Sequence, residues 1–240
     1  MYYYRGPQDR SSSYYYGFAQ RIPRAIKWLL IINAFIFAVQ RIVPSILGPL
    51  TFEFVFGLVP SLFLNKLWLW QPVTYMFLHG SLPHILMNMF SLWMFGSAIE
   101  RSWGTGKFLK YYFITGVGAG LLTIAFTPFS IVPTIGASGA IYGILLAFGL
   151  TFPERPIYLY FIFPVKAKHF VLFFAVLEFY FAWQNTGDGI AHLAHFGGML
   201  LGYLYMKRAW RLRDFLADLR WKLKRRKFKV MDDEWKKYRQ

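Results

Sequence analysis

Ser138 lies within PTIGASGAIYG, between Gly136 and Gly139 and directly ahead of an apolar run. The flanking glycines permit unusual backbone angles and close approach of a second chain segment. A helix opening at Ser138 leaves its first N–H groups unpaired and partly positive, which suits a nucleophile whose own amide helps hold an oxyanion. The competing reading of the serine alone is a packing patch of small residues in which the hydroxyl bonds its own helix. His195, in AHLAHFGGMLLG, is the candidate general base for that serine. Its alternative is a packed, hydrogen-bonded histidine. Gly139 with Gly143, and Gly198 with Gly202, form small-xxx-small pairs that let two helix backbones approach closely. A side chain as short as serine needs that approach to reach an imidazole.

In HILMN, His84 and Asn88 stand four residues apart and share one helix face. Both can donate to a developing negative charge, and both could equally serve as polar contacts between helices. Tyr142 follows Ser138 by one helical turn and can pack on the His195 ring, fixing its orientation where no acid is available; the alternative is an interface anchor. His192 precedes His195 by nearly one turn and leaves the choice of base open at this point. Zinc chemistry is not expected among His79, His84, His192 and His195, because there is no HExxH and no acid at ligand spacing. Aspartyl chemistry is excluded by the lack of paired carboxylates, and thiol chemistry by the lack of cysteine. Glu178 falls inside an apolar run and reads only as a polar contact between spans. No cofactor is implied.

These residues need spans to hold them. The composition is 56% hydrophobic and 21% aromatic, and apolar runs fall near 25–43, 83–101, 107–126, 138–152, 167–183 and 190–206. This predicts an all-α polytopic membrane protein. The fourth run covers about 22 Å of a roughly 30 Å hydrocarbon core, so Ser138 lies below the outer surface and the loop reaching it is buried in protein. His195, about 18 Å above Lys207, comes to a similar depth. Five basic residues precede or open the first run and fourteen follow from Lys207, out of 27 in all. With the loop charges, this places both termini in the cytoplasm. The expected organisation is a disordered cytoplasmic segment over 1–23, one six-span domain over 24–207 and a basic cytoplasmic tail over 208–240. That tail is expected to lie on anionic lipid; nucleic acid is not an expected partner. The connection from about 48 to 82 is apolar enough to lie in the interface or dip into it.

Taken in order, the motifs resemble those of the rhomboid family of intramembrane serine proteases. They are His84 and Asn88, a GxxxExxxG pattern of Gly96, Glu100 and Gly104, the GxSG of Gly136 to Gly139, and AHxxGxxxG from Ala194 to Gly202. The resemblance spans roughly Trp70 to Lys207 and implies a six-transmembrane-helix rhomboid-like bundle. It implies Ser138 as nucleophile and His195 as base, a dyad without an aspartate. His84, Asn88 and the Ser138 amide become the oxyanion donors, with Tyr142 stacked on His195. It favours His195 over His192, because only His195 has glycines at the family's offsets. Glu100 is implied to tie helix ends near the cytoplasmic side. The implied substrates are transmembrane segments of other proteins, and the expected location is a bacterial-type plasma (inner) membrane. Two rivals stand beside this reading: a silent rhomboid-like protein that binds membrane clients, and a small transporter or channel.

Overall fold

The structure, a computed structural model, describes residues 21–47, 51–159, 162–184 and 191–209. Helix α1 runs Arg24–Leu47, and three short helices follow in the first connection: α2 (Thr51–Phe56), α3 (Pro60–Lys66) and α4 (Gln71–Thr74). A 3-10 turn at Tyr75–Phe77 leads to α5 (Leu82–Ser91), which passes through a π-helical turn at Leu92–Gly96 into α6 (Ser97–Trp103). Helices α7 (Thr105–Phe126), α8 (Ser138–Thr151) and α9 (Ala167–Gln184) come next, and a last helix, α10, occupies 192–209. Among the described residues, three helical segments are long and apolar enough to cross a membrane: Arg24–Ile42, Leu82–Trp103 and Thr105–Phe126. Helix α8 is apolar but only 14 residues long.

Helix α8 sits at the centre because its sequence is small on the faces that meet other helices. A Cβ on Gly143 would fall 2.7 Å from Thr115 Cβ of α7, so the two backbones pass at a distance only glycine allows. Tyr111 seals that contact by donating its hydroxyl to Gly143 O at 2.8 Å, and Tyr75 donates to Gly116 O at 2.6 Å. Outward faces carry exposed apolar side chains, Trp28, Ile31 and Phe35 on α1 and Leu172, Phe173 and Val176 on α9, as expected of helices that meet lipid.

Glu100 joins the other end of the bundle. Its carboxylate accepts from the backbone N–H groups of Ala25 (2.9 Å) and Ile26 (3.0 Å), which open α1, and from Thr105 Oγ1 (2.7 Å), which opens α7. A buried acid thus satisfies the unpaired donors of one helix start and pins a second. Gly104 follows with φ +82, a left-handed turn that lets the chain reverse between α6 and α7.

The first connection is folded onto the bundle by backbone and side-chain hydrogen bonds. Trp70 Nε1 donates to Val55 O, and Gln71, fully buried, accepts from Val59 N and donates to Phe54 O. Leu58 and Thr134 exchange both backbone hydrogen bonds at 2.9 Å, and Gly136 N donates to Tyr75 O. The segment from Thr127 to Ala137, which reaches the start of α8, is therefore clamped by the first connection.

One expectation is corrected. The chain is not wholly helical: β1 (Pro156–Leu159) and β2 (Phe163–Lys166) pair antiparallel between α8 and α9, with Ile157 opposite Val165. Ile157 is the one buried residue of β1, and Lys166 and Lys168 both pair with Glu154 beside the hairpin. Four-residue strands carrying a proline each give little periodic signal, so they read as a plain connection. The N-terminal segment 1–20 and residues 210–240, most of the basic tail, lie outside the described residues.

Candidate active site

Ser138 is the first residue of α8, with Ala137 ahead of it at φ −73 and ψ −4 and no side chain capping the helix start. Its amide belongs to the set of helix-opening donors that have no intrahelical acceptor. Gly136 has φ +127, a region side-chain-bearing residues rarely enter, and a Cβ there would also stand 2.9 Å from His84 Nε2. The glycine thus permits the turn into α8 and leaves room for the imidazole beside it.

Ser138 Oγ and His195 Nε2 are 2.7 Å apart, and both residues are buried. Their meeting follows from the glycines. A Cβ on Gly198 would fall 1.9 Å from Gly139 O, and one on Gly202 would fall 3.5 Å from Gly143 Cα and 2.3 Å from the Tyr111 hydroxyl. Helices α8 and α10 therefore touch backbone to backbone along this pair of motifs. The Tyr142 ring stacks on His195, with centroids 4.4 Å apart and planes 14° from parallel.

An acid is present where none was expected. Glu178, buried on α9, accepts from the Tyr142 hydroxyl through Oε1 at 2.5 Å. Its Oε2 lies 2.6 Å from His192 Nδ1 and 3.2 Å from His195 Nδ1. Three helices thus meet on one carboxylate. The dismissal of a metal on the ground that no acid lies near the histidines loses that ground. Glu178, His192 and His195 bring ligand-type atoms within 4.8 Å of one another, a set that could hold a metal ion. The His192 contact is a direct hydrogen bond, whereas His195 Nδ1 stands within ion-pair distance of the carboxylate and has no hydrogen-bond partner among the described residues.

Asn88 is buried, and its Nδ2 has no hydrogen-bond partner among the described residues. A buried, unpaired amide donor is costly unless something accepts from it. It shares with His84, Ser138 and His195 a cleft of about 2280 Å³ that extends between α5 and α9. His84 opens onto the same cleft from the N-terminal turn of α5, which Ser81 caps by accepting from His84 N. Behind His84 its ring neighbour His79 is fully buried, 5.0 Å away centroid to centroid. Burial, with the nearby His84, lowers the His79 pKa to about 4, so that imidazole is neutral at neutral pH. Arg41 of α1 holds this corner by donating to Gly80 O at 2.6 Å.

Ser138, His195, His84, Asn88 and Tyr142 thus line one cleft, Gly139, Gly198 and Gly202 lie on the α8–α10 contact behind it, and Glu100 stands apart at the other end of the bundle. The sequence signal for Glu178 was an acid inside an apolar run; its partners, on α8 and α10, are set only by the fold.

Residues 66–211 match the model of the rhomboid domain. The chain is 32% identical over 120 residues to Rhomboid protein 1, mitochondrial, of Saccharomyces cerevisiae, covering 46% of this chain and 33% of that protein. It is also 32% identical over 109 residues to the rhomboid protease GluP of Bacillus subtilis, covering 45% of this chain and 20% of that protein. The chain thus spans a third or less of the length of these relatives. With more than half of its residues in the matched domain and its apolar helices described above, this membrane protein belongs to the rhomboid family.

Proposed function

We propose that the chain is an intramembrane serine endopeptidase working through Ser138 and His195. The observation that carries this reading is the 2.7 Å contact of Ser138 Oγ with His195 Nε2 beside a cleft that Asn88, with its unpaired amide donor, also lines. His195 Nε2 takes the hydroxyl proton as Oγ attacks a peptide carbonyl. The carbonyl oxygen, now negative, is met by the Ser138 N–H, Asn88 Nδ2 and His84. His195 returns the proton to the departing amine, and water, activated by the same imidazole, releases the acyl group. The substrate is a transmembrane segment of another protein. Its carbonyls are occupied in a helix, so it must unwind locally before Ser138 can reach one. A cleft larger than the usual 300–1,000 Å³ small-molecule pocket suits such a polypeptide.

The same reading takes residues 24–207 as six spans with both termini cytoplasmic, set in a bacterial-type plasma membrane. It lays the basic tail on anionic lipid. Support comes from the fourteen basic residues from Lys207 onward.

The test is cleavage of a single-span model substrate by the full chain in detergent micelles, together with fluorophosphonate labelling. Wild type should cleave and label; Ser138→Ala and His195→Ala should do neither, and His192→Ala should still label. A folded wild type that neither labels nor cleaves, yet co-purifies with a single-span protein, overturns the peptidase reading in favour of a silent client-binding member.

A further inference from the structure

We infer that Glu178 is a positioning residue for the base: it fixes the His195 tautomer and balances the charge that forms on the imidazole. This rests on the peptidase reading for its catalytic consequence, though not for its geometry. A neutral imidazole carries one N–H. For Nε2 to accept the Ser138 proton it must hold a lone pair, so the ring proton must sit on Nδ1. Nδ1 is buried without a hydrogen-bond partner, and Glu178 Oε2 stands 3.2 Å from it, a carboxylate that when ionised only accepts and so attracts a proton on that nitrogen. The acid thereby favours the one tautomer that can work as a base, the role an aspartate plays in Ser-His-Asp sites.

Glu178 is itself held. Tyr142 donates to Oε1 and His192 Nδ1 stands 2.6 Å from Oε2, so the carboxylate cannot rotate away without losing both. Tyr142 meanwhile stacks on the His195 ring. Ring plane and ring proton are therefore set by one connected group from α8, α9 and α10. In the reaction the Ser138 proton moves to Nε2 as the Oγ–C bond forms and the carbonyl electron pair moves to oxygen. The resulting imidazolium faces the Glu178 carboxylate, which stays ionised, and the long Nδ1···Oε2 contact tightens as the charge appears. The proton then leaves from Nε2 to the amine as the C–N bond breaks.

Glu178→Gln tests this with little change of shape. An amide presents two donors and one acceptor where the carboxylate presents acceptors only, so at least one of the three donors is opposed. On the full chain in micelles, kcat should fall at least about tenfold with KM within about twofold, and Glu178→Asp should recover part of the loss. Histidine ¹⁵N spectra supply a readout independent of turnover, the His195 signal being identified by its loss in His195→Asn. Wild type should show Nδ1 protonated and Nε2 bare; Glu178→Gln should shift that balance toward Nε2–H. If wild type is inactive but shows this tautomer and Glu178→Gln shifts it, the peptidase reading fails while the positioning role stands. An Nε2–H tautomer in wild type, or a folded Glu178→Gln with unchanged kcat and unchanged spectrum, overturns the inference.

Discussion

Replacing Gly198 by alanine adds one methyl group at the point where α10 meets α8. That methyl would stand 1.9 Å from Gly139 O, against the 3.0 Å below which real Cβ atoms essentially never come. The obstacle is backbone, which cannot swing aside as a side-chain tip would, so the helices must part by about 1 Å. One turn away, the same opening would stretch the 2.7 Å Ser138–His195 contact toward the limit of a hydrogen bond. Overpacking of this kind costs about 1–3 kcal/mol of stability, and a misplacement of about 1 Å at a reacting pair costs on the order of 10² in rate. The assay is turnover of a single-span substrate together with the thermal midpoint in micelles. Gly106→Ala is the control, since a Cβ there meets nothing within 4 Å and should be neutral or slightly stabilising. Gly202→Ala should be intermediate, because its new methyl meets the Tyr111 hydroxyl at 2.3 Å, a group that can move at the expense of its bond to Gly143 O. Wild-type turnover and midpoint in Gly198→Ala would refute the backbone contact of α8 with α10.

Asn88→Ala should lower kcat by roughly 10²–10³ with KM little changed if its unpaired donor serves the oxyanion as proposed; steady-state kinetics on the model substrate would check it. Glu100→Ala should lower stability by roughly 2–4 kcal/mol, seen as a reduced unfolding midpoint, since two N–H donors opening α1 and the Thr105 hydroxyl lose their acceptor. Acidification should destabilise the fold through His79. Its pKa in the fold is about 4 against 6.5 in the open chain, so the unfolded state binds the proton first as pH falls. That contribution, on the order of 3 kcal/mol, is fully present above about 6.5 and lost toward 4; His79→Gln should flatten the slope of midpoint against pH.

What the sequence made legible was whatever local spacing encodes. Ser138, His195 and their glycines recur at one-turn intervals, so a helix face can be drawn before any fold is known, and the structure puts Gly139 and Gly198 on facing helices. The span starts at Leu82, Thr105, Ser138 and Ala167 fall within two residues of the expected runs, because a membrane helix announces itself by length and apolar character. What was not legible depends on contacts between distant segments. The bridge from Leu58 to Thr134, which clamps the loop ahead of Ser138, joins residues with no periodic relation. Glu178 finds Tyr142 36 residues away and His192 14 residues away, across three helices. The small hairpin at 156–166 escaped for the opposite reason, as its strands are too short to show a period.

The distribution of these constraints bears on how the site can both hold and admit a substrate. The Ser138–His195 pair stands on α8 and α10, whose glycines bring the two backbones into contact, and Tyr142, held by Glu178, stacks on the His195 ring. The donors of His84 and Asn88 come instead from α5, across the open cleft. Helix α5 is anchored at its start by Arg41 through Gly80 O, and at its far end it passes through the π-helical turn at Leu92–Gly96. A π turn is a common place for a helix to change direction at a functional site. It sets the face of α5 that carries Asn88 on a separate course from α6, where Glu100 is buried in its ties to α1 and α7. Ser138 and His195, the proposed nucleophile and base, are thus built into a close backbone contact of two helices. On the proposed reading, the oxyanion donors sit on the opposite wall of the cleft, so a polypeptide entering there would pass them without disturbing the 2.7 Å Ser138–His195 contact.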